Sequence, residues 1–233
     1  MKTFLIAEGT SGIGLETVKL LSKNNDSLII LGREKKNTGD LLNTVFYTAD
    51  ILRPAYELPQ IREPLDGIVY CPGTINLKPF RSLKPEDYQN DLEINLLGAV
   101  KLINKYLPIL KAAGKASIVL FSTVAVQTGM PYHASIASAK GAVEGLARSL
   151  AAEFAPHIRV NCIAPSITST PLAEKLLNSE TKMKSSEERH PLKRIGSAEE
   201  IAELTVFLLS DNSGFITGQI IRADGGISSV RVL

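Results

Sequence analysis

A strand, a glycine-rich turn and a helix follow one another at the start of this chain, and that order limits the folds open to it. Residues 4–7 form an apolar run that predicts a short buried strand. Gly9, Gly12 and Gly14 come next, and the apolar positions within residues 15–21 predict one side of a helix. Glycines allow a tight turn, and the free N–H groups of a helix N-terminus bind phosphate. The stretch therefore predicts either a phosphate cradle or a plain tight turn.

The composition predicts a single α/β domain over residues 1–233. Hydrophobic residues make up 44% of the chain and charged residues 21%, which allows a sizeable core. The net charge of +2 is too small to indicate nucleic acid or an anionic membrane as a partner. No apolar run approaches the roughly 20 residues of a membrane span, and the run after Met1 stops at Glu8, short of a secretory signal. We therefore expect a cytoplasmic protein.

The two cysteines, Cys71 and Cys162, lie at or beside the ends of predicted buried strands. They are far apart in sequence and lack the spacing of metal ligands. We expect small core residues, with neither a metal site nor a disulfide.

Strands and helices alternate along the whole chain. This alternation predicts a Rossmann-type, doubly wound α/β fold with about seven mainly parallel strands and helices on both faces. The predicted strands are residues 4–7, 27–31, 44–49, 67–70, 116–121, 158–163 and 219–222. Long helices are predicted over residues 85–111 and 134–154, and Ser197 opens another helix with a capping-box pattern.

Three connecting segments lack a strong pattern. The crossover after the second strand is only about a dozen residues long, and residues 37–40 are a poor helix. Three prolines between residues 51 and 64 allow at most a short helix. The polar residues 178–193 are either a mobile flap or a solvated surface helix.

Several motifs occur in a fixed order along the chain: Gly9-Thr-Ser-Gly-Ile-Gly14, Glu93-Ile-Asn-Leu, Phe121-Ser-Thr-Val124, Ala139-Lys-Gly-Ala-Val-Glu-Gly145, Arg159-Val-Asn-Cys-Ile-Ala-Pro165 with Thr170-Pro171, the run from His190 to Ile201, Ile216-Thr-Gly218 and Asp224-Gly-Gly226. Together they resemble the motifs of the short-chain dehydrogenase/reductase family over essentially the whole chain. The resemblance implies hydride transfer between NAD(H) or NADP(H) and an alcohol or carbonyl of a small-molecule substrate.

The resemblance also assigns catalytic roles. Lys140 falls on the family's lysine, Asn95 on its asparagine and Thr123 on its serine. The tyrosine that serves the family as general acid/base is replaced by Ile136, which can neither donate nor accept a proton. Losing such a group slows a reaction about 10²–10⁴-fold. Tyr132 is a possible substitute if the helix already includes it, because it would then lie one turn before Ile136.

The resemblance also implies that a dinucleotide binds in a cleft lined by these catalytic positions. The cofactor-binding positions that it implies are Gly9, Thr10, Ser11, Gly12, Ile13, Gly14, Arg33, Asp50, Ile51, Cys71, Pro72, Gly73, Lys140, Pro165, Ile167 and Thr168. Arg33 follows the second strand, where an arginine favours the 2′-phosphate of NADP(H) over NAD(H). Arg33 is alternatively a solvated residue of a charged turn, and Asp50 alternatively caps the following loop.

Three further positions in that cleft depart from the family pattern. Ala7-Glu8 replaces the usual Thr-Gly, and Glu8 adds bulk and negative charge where phosphates would lie, which predicts weakened cofactor binding. Cys71-Pro72 replaces the usual Asn-Ala, and Ser166 replaces a glycine after Pro165.

Two functions remain open from the sequence. The first is an NADP(H)-dependent oxidoreductase with an incomplete active site. The second is a non-catalytic relative that senses a nucleotide or serves as a scaffold. In either case the resemblance implies a homodimer or homotetramer through the helices near residues 85–111 and 134–154.

Overall fold

Seven parallel strands form the central sheet of the computed structural model, which describes residues 1–36 and 41–231. The strands run in the order β3-β2-β1-β4-β5-β6-β9, and two further short strands, β7 and β8, pair with each other. Their bounds are β1 Thr3–Ala7, β2 Ser27–Gly32, β3 Thr44–Thr48, β4 Gly67–Tyr70, β5 Ala116–Phe121, β6 Ile158–Pro165, β7 Thr168–Ser169, β8 Gly196–Ser197 and β9 Ile220–Ala223.

Helices cover both faces of the sheet. Their bounds are α1 Gly12–Lys23, α2 Pro85–Leu92, α3 Gly98–Ala112, α4 Ala125–Thr128, α5 Ala134–Phe154, α6 Glu174–Leu177, α7 Glu180–Glu188 and α8 Ala198–Leu209. Because strand side chains alternate between faces, Leu5 packs in the core beneath α3 and α5, whereas Phe4 packs beneath α1 and α8. The predicted capping box is present, with Glu200 N–H donating to Ser197 Oγ at 3.2 Å.

The strand order reverses direction between β1 and β4. From β1 the chain builds outward through β2 and β3, and it then returns to add β4 on the other side. Ala7, the last residue of β1, is paired with Leu31 on one side and with Tyr70 on the other. In sheets of this kind the ligand site lies at the carboxyl ends of the strands at such a reversal.

The predicted sheet of about seven parallel strands is confirmed, with small shifts at its ends. β2 continues to Gly32, β3 stops at Thr48, and β6 continues to Pro165. The last strand begins one residue later than predicted, at Ile220. Residues 37–40, the part of the crossover after β2 that the sequence predicts to be a poor helix, lie outside the described residues.

The long helix predicted over residues 85–111 is present, with a local change of helical geometry in its middle. A π turn over Glu93–Leu97 separates α2 from α3. The physical reason lies in β4, because the Tyr70 hydroxyl donates to the carbonyl of Ile94 at 2.5 Å. A side chain at Gly98 would collide with that hydroxyl, so the glycine makes room for it.

Residues 178–193 contain α7, a mostly exposed helix, which agrees with the surface-helix alternative. Within it Ser186 is buried, and His190 is buried just beyond its end. Residues 51–64 hold only the short 3₁₀ turn Ala55–Glu57, as their prolines predict. Among residues 1–36 and 41–231, no helix is both long and apolar enough to cross a membrane.

Helix α1 begins so close to β1 that residue 14 has no room for a side chain. The first carbon of a side chain at Gly14 would collide with the carbonyl oxygen of Glu8. We expect Gly14→Ala to lower the free energy of unfolding by about 2–4 kcal/mol, because the strand and the helix would have to separate. Urea denaturation measures the effect.

Gly141→Ala is the matched control for that change. A side-chain carbon at Gly141 would meet only Val126, at an ordinary distance of 3.6 Å. This variant should be neutral, or stabilise the chain by up to about 1 kcal/mol, since alanine favours a helix over glycine. Equal effects of the two substitutions would contradict the steric argument.

Candidate active site

The glycine-rich turn lies at the carboxyl edge of the sheet, between β1 and α1. Within the described chain, the Ser11 side chain makes no hydrogen bond to the first turn of α1, so the N–H groups of that turn are left to a ligand. Gly12 has a φ of +51°, and a side chain there would begin 3.4 Å from Thr170, which packs over the turn. The other predicted phosphate-binding residues share this turn: Gly9, Thr10, Ile13 and Gly14.

Glu8 is held at the sharpest point of the same turn. Its φ is +58°, a left-handed conformation that is natural for glycine and costs other residues about 1–2 kcal/mol. Its N–H donates to the carbonyl of Leu31 at 2.7 Å. Its carboxylate Oε1 lies 3.5 Å from Nε of Arg33. The side chain predicted to bind a 2′-phosphate is therefore already paired with a carboxylate.

Asp50 and Ile51 follow β3 at the outer side of this edge. The Asp50 carboxylate accepts the N–H of Leu52 at 3.0 Å, so the loop-capping contact considered as the alternative is present. Ile51 is buried beside Gly98 at the start of α3. Burial raises the pKa of the Glu8 carboxyl, Arg33 opposes that rise, and the negative charge of Asp50 adds to it.

Gly73, in the segment after β4, has no side chain, and the space that a side chain there would take is called the gap. A side chain at Gly73 would begin 3.4 Å from Oδ1 of Asn95 and 3.6 Å from Nζ of Lys140. These two polar atoms therefore face the same small space. Pro72 is buried beside it, and burial raises the pKa of the Cys71 thiol to about 12.

Asn95 enters the site from the π turn. Its Nδ2 donates to the carbonyl of Asp91 at 2.8 Å and to Oγ1 of Thr74 at 2.9 Å. The side chain is buried, and its Oδ1 has no hydrogen-bond partner among the described residues. Because a buried polar atom without a partner is destabilising, this oxygen marks a place for a water or a polar ligand group next to Lys140.

Beneath Asn95 lies a buried carboxylate that the sequence analysis did not single out. Asp91 accepts the hydroxyls of Thr74 and Ser135, each at 2.6 Å, and so ties α2 to α5. Ser135 directly precedes Ile136. The sequence spacing could have indicated that Asp91 belongs to the site, because it is four residues before Asn95 and lies on the same helical face.

Lys140 projects from α5 beneath the end of β5. Its Nζ donates to the carbonyl of Phe121 at 2.8 Å. The side chain is buried, and this burial lowers the pKa of the ammonium to about 8. Thr123 is partly exposed two residues beyond β5, where its Oγ1 accepts the N–H of Ala125 at 3.3 Å.

Ile136 lies on α5 one turn before Lys140 and is only 4% exposed. The helix does not include Tyr132, as its proposed substitution for the tyrosine required, because α5 begins at Ala134. Tyr132 has a φ of +69°, which no right-handed helix accommodates, and it is 59% exposed. Its place outside the helix removes the geometry on which its substitution for the missing tyrosine depended.

The segment after β6 closes another side of the site. Pro165 ends β6, and its carbonyl accepts the N–H of Val124 at 3.2 Å. The Ile167 carbonyl accepts the N–H of Gly196 at 3.3 Å, and Thr168 begins the short strand β7. These contacts bring the three predicted positions after β6 to the carboxyl edge of the sheet.

A second pair missed from the sequence joins Ser166 to His190. The buried ring of His190 has Nε2 2.8 Å from Oγ of Ser166, and Nδ1 2.7 Å from the carbonyl of Ser186. The pair ties the end of α7 to the segment after β6. Over residues 1–36 and 41–231, no three His, Cys, Asp or Glu residues are grouped as a metal ion would require.

Comparison with known proteins identifies the family. A family model described as enoyl-(acyl carrier protein) reductase matches residues 7–228. A short-chain dehydrogenase family protein from Francisella tularensis is 28% identical, with a TM-score of 0.88 over 99% of this chain and 100% of that one. The chain belongs to the short-chain dehydrogenase/reductase family.

Further relatives extend this result across the short-chain dehydrogenase/reductase family. A tropinone reductase homologue of Arabidopsis thaliana is 32% identical over 96% of this chain and 92% of its own. The 3-oxoacyl-[acyl-carrier-protein] reductase FabG of Thermotoga maritima is 30% identical over 97% of each chain. The structure of ElxO with NADP bound has a TM-score of 0.87 and 26% identity, over 99% of this chain and 100% of ElxO.

The burial of Lys140 makes a prediction about stability and pH. Its pKa is about 8 in the folded chain, against a usual 10.5. Between these values the unfolded chain binds more protons, so this group adds stability as pH rises from about 8 to 10.5, and its penalty is full below about 8. We expect Lys140→Met to raise the free energy of unfolding at pH 7 by about 2 kcal/mol, and to lose that advantage by pH 10.5.

Urea unfolding of both proteins at several pH values tests this expectation. Taking the difference between variant and wild type removes the opposite contribution of the buried thiols, whose pKa is raised in the folded chain. Lys23→Met, at the exposed end of α1, is the control and should show no pH-dependent difference. A constant difference for Lys140→Met over this range would show that its ammonium is not desolvated.

Proposed function

We propose that this short-chain dehydrogenase/reductase is an NADP(H)-dependent oxidoreductase that acts on a small carbonyl or alcohol substrate. Its proton transfer to or from the substrate is slow, because residue 136 is isoleucine. The observation that carries the proposal is the gap beside Gly73, which Lys140 Nζ and Asn95 Oδ1 both face. The likeness to ElxO, whose structure contains NADP, supports the choice of cofactor.

The residues at the carboxyl edge fit a dinucleotide at two places and oppose it at a third. The N–H groups at the start of α1 suit the diphosphate, and the absence of a side chain at Gly73 lets a nicotinamide ribose approach Lys140. Arg33 offers a guanidinium for a 2′-phosphate, but Glu8 is paired with it. A bound NADP(H) would supply or accept the hydride.

Proton transfer must then come from this chain's other groups. A carbonyl that gains a hydride develops negative charge on its oxygen, and a donor must neutralise it. The Thr123 hydroxyl can donate a hydrogen bond to that oxygen. Lys140, with a pKa of about 8, can release a proton through a water bonded to Asn95 Oδ1.

One pair of observations favours the second candidate, a non-catalytic nucleotide sensor or scaffold. Ile136 fills the acid/base position with a buried apolar side chain, and Glu8 puts a carboxylate into the phosphate turn. A protein that only needs to bind a nucleotide weakly would tolerate both. The two candidates differ in whether wild-type protein turns over a substrate.

The Ile136→Tyr variant tests the oxidoreductase proposal. Isothermal titration calorimetry first measures binding of NADPH, NADH and their oxidised forms, and a panel of small ketones then measures turnover. We expect micromolar to millimolar binding, slow wild-type turnover, and a gain of about 10²-fold in kcat/KM for Ile136→Tyr.

Ile136→Phe is the matched control, because it adds the ring without the hydroxyl. It should show no gain. Binding without turnover in wild type and Ile136→Tyr alike would favour the sensor or scaffold, and no binding of any cofactor up to millimolar concentration would remove the proposed function.

We also propose that the chain forms a homodimer or homotetramer through α3 and α5. Leu97 and Val100 have exposed apolar side chains at the start of α3, and Gly145 is an exposed small residue on α5. Light scattering at micromolar concentration should give a dimer or tetramer mass. Val100→Arg should reduce that mass, whereas Tyr56→Arg, at an exposed aromatic of the 3₁₀ turn, should not. A monomeric wild type would contradict this proposal.

A further inference from the structure

The carboxylate of Glu8 reaches the side of the cleft where Arg33 lies. Its backbone is fixed, because the N–H is bonded to Leu31 and φ is +58°. From this position the side chain extends across the end of β2, and Oε1 comes to 3.5 Å from Arg33 Nε. The Glu8 side chain is 24% exposed and that of Arg33 is 73% exposed.

Other ionisable groups surround this carboxylate at the ends of the strands. Asp50 lies beyond β3, and Tyr70 and Cys71 lie at the end of β4. Burial raises the pKa of both the Tyr70 hydroxyl and the Cys71 thiol, and the charge of Glu8 adds to that rise. Arg33 is thus the cation that faces Glu8 among its interacting groups, while Asp50 adds a second negative charge.

We propose that Glu8 determines the choice between NADP(H) and NAD(H), because its carboxylate offsets the positive charge of Arg33 that a 2′-phosphate requires. This inference rests on the proposed function, in which Arg33 faces the 2′ position of a bound dinucleotide. In the wild-type chain the preference for NADP(H) over NAD(H) is therefore smaller than Arg33 alone would give. Removing the charge of Glu8 strengthens that preference.

Charge and geometry both support this direction. A 2′-phosphate carries up to two negative charges and would be drawn to Arg33, where it would meet the Glu8 carboxylate. The 2′-hydroxyl of NAD(H) is neutral and can donate a hydrogen bond to a carboxylate. Glu8 Oε1 lies 3.5 Å from Arg33 Nε, whereas Arg194 makes two short contacts with Glu200 at 2.7 and 2.6 Å. Glu8 therefore offsets charge more than it fixes the guanidinium.

The test is the dissociation constant of NADPH and of NADH, measured by fluorescence for wild type, Glu8→Gln, Arg33→Ala and the double variant. We expect Glu8→Gln to bind NADPH roughly tenfold more tightly and to bind NADH within about twofold of wild type. Arg33→Ala should weaken NADPH binding. In the double variant the gain from Glu8→Gln should be much smaller, because the released guanidinium is gone.

Glu34→Gln is the matched control. It removes the same charge beside Arg33, but Glu34 is exposed and its carboxylate pairs with Lys36. It should change the ratio of the two constants far less than Glu8→Gln does. Glu8→Asn provides a second test variant, since asparagine tolerates a positive φ. Thermal unfolding of each variant checks that the fold is kept.

Each result has a definite meaning. Unchanged or weaker NADPH binding in Glu8→Gln, with NADH still bound, overturns this inference and leaves the proposed function in place. An equal gain in Glu34→Gln also overturns it, because net charge alone would then explain the effect. Binding of neither cofactor by wild type and all variants overturns the proposed function and this inference with it.

Discussion

The close approach of helix α1 to the end of β1 is the constraint on which the carboxyl edge of this protein depends. Because a side chain at Gly14 would collide with the Glu8 carbonyl, the chain must turn abruptly between these two residues. The turn places residue 8 in a left-handed conformation and leaves the first N–H groups of α1 open at the edge of the sheet. The same geometry that suits an anion therefore also aims the Glu8 carboxylate at Arg33. The close contact of Gly14 with the Glu8 carbonyl therefore has two effects on a phosphate-bearing ligand. The N–H groups of α1 attract the phosphate, and the Glu8 carboxylate repels it.

The centre of the site depends on a second constraint, the burial of polar groups. Asp91 gathers hydroxyls from Thr74 and Ser135, and Thr74 in turn accepts from Asn95. This network joins the loop after β4, the helix α2 and the helix α5, so it fixes Asn95 relative to Lys140. Polar networks of this kind are stable only when their members are paired. Among the described residues the Asn95 Oδ1 atom is left without a partner, and it faces the gap that Lys140 also faces.

Local sequence patterns were enough to predict the sheet. They could not predict contacts between residues that are distant in the sequence. Apolar runs and turn residues gave seven parallel strands with ends correct to one or two residues, and the Ser197 capping box was readable from four consecutive residues. The π turn was not readable, because it depends on a Tyr70 hydroxyl from another strand. The pairing of Glu8 with Arg33 joins two strand ends, and Ser166 meets His190 across 24 residues. The same limit applies to Tyr132, because nothing in the sequence of residues 130–136 indicates the positive φ that keeps it outside α5.

The two unusual residues of the cleft affect different quantities, and this separation bears on what the site does. Glu8 acts where a ligand's phosphate would bind, so it changes affinity, whereas Ile136 acts where a proton would be transferred, so it changes rate. Neither residue removes the two features that reduce stability, the desolvated ammonium of Lys140 and the unpaired oxygen of Asn95. A chain that used this edge only as packing would gain stability from apolar side chains at both positions. These polar groups lie together around the gap at Gly73, and this arrangement is the physical argument for the proposal that the edge binds a polar ligand.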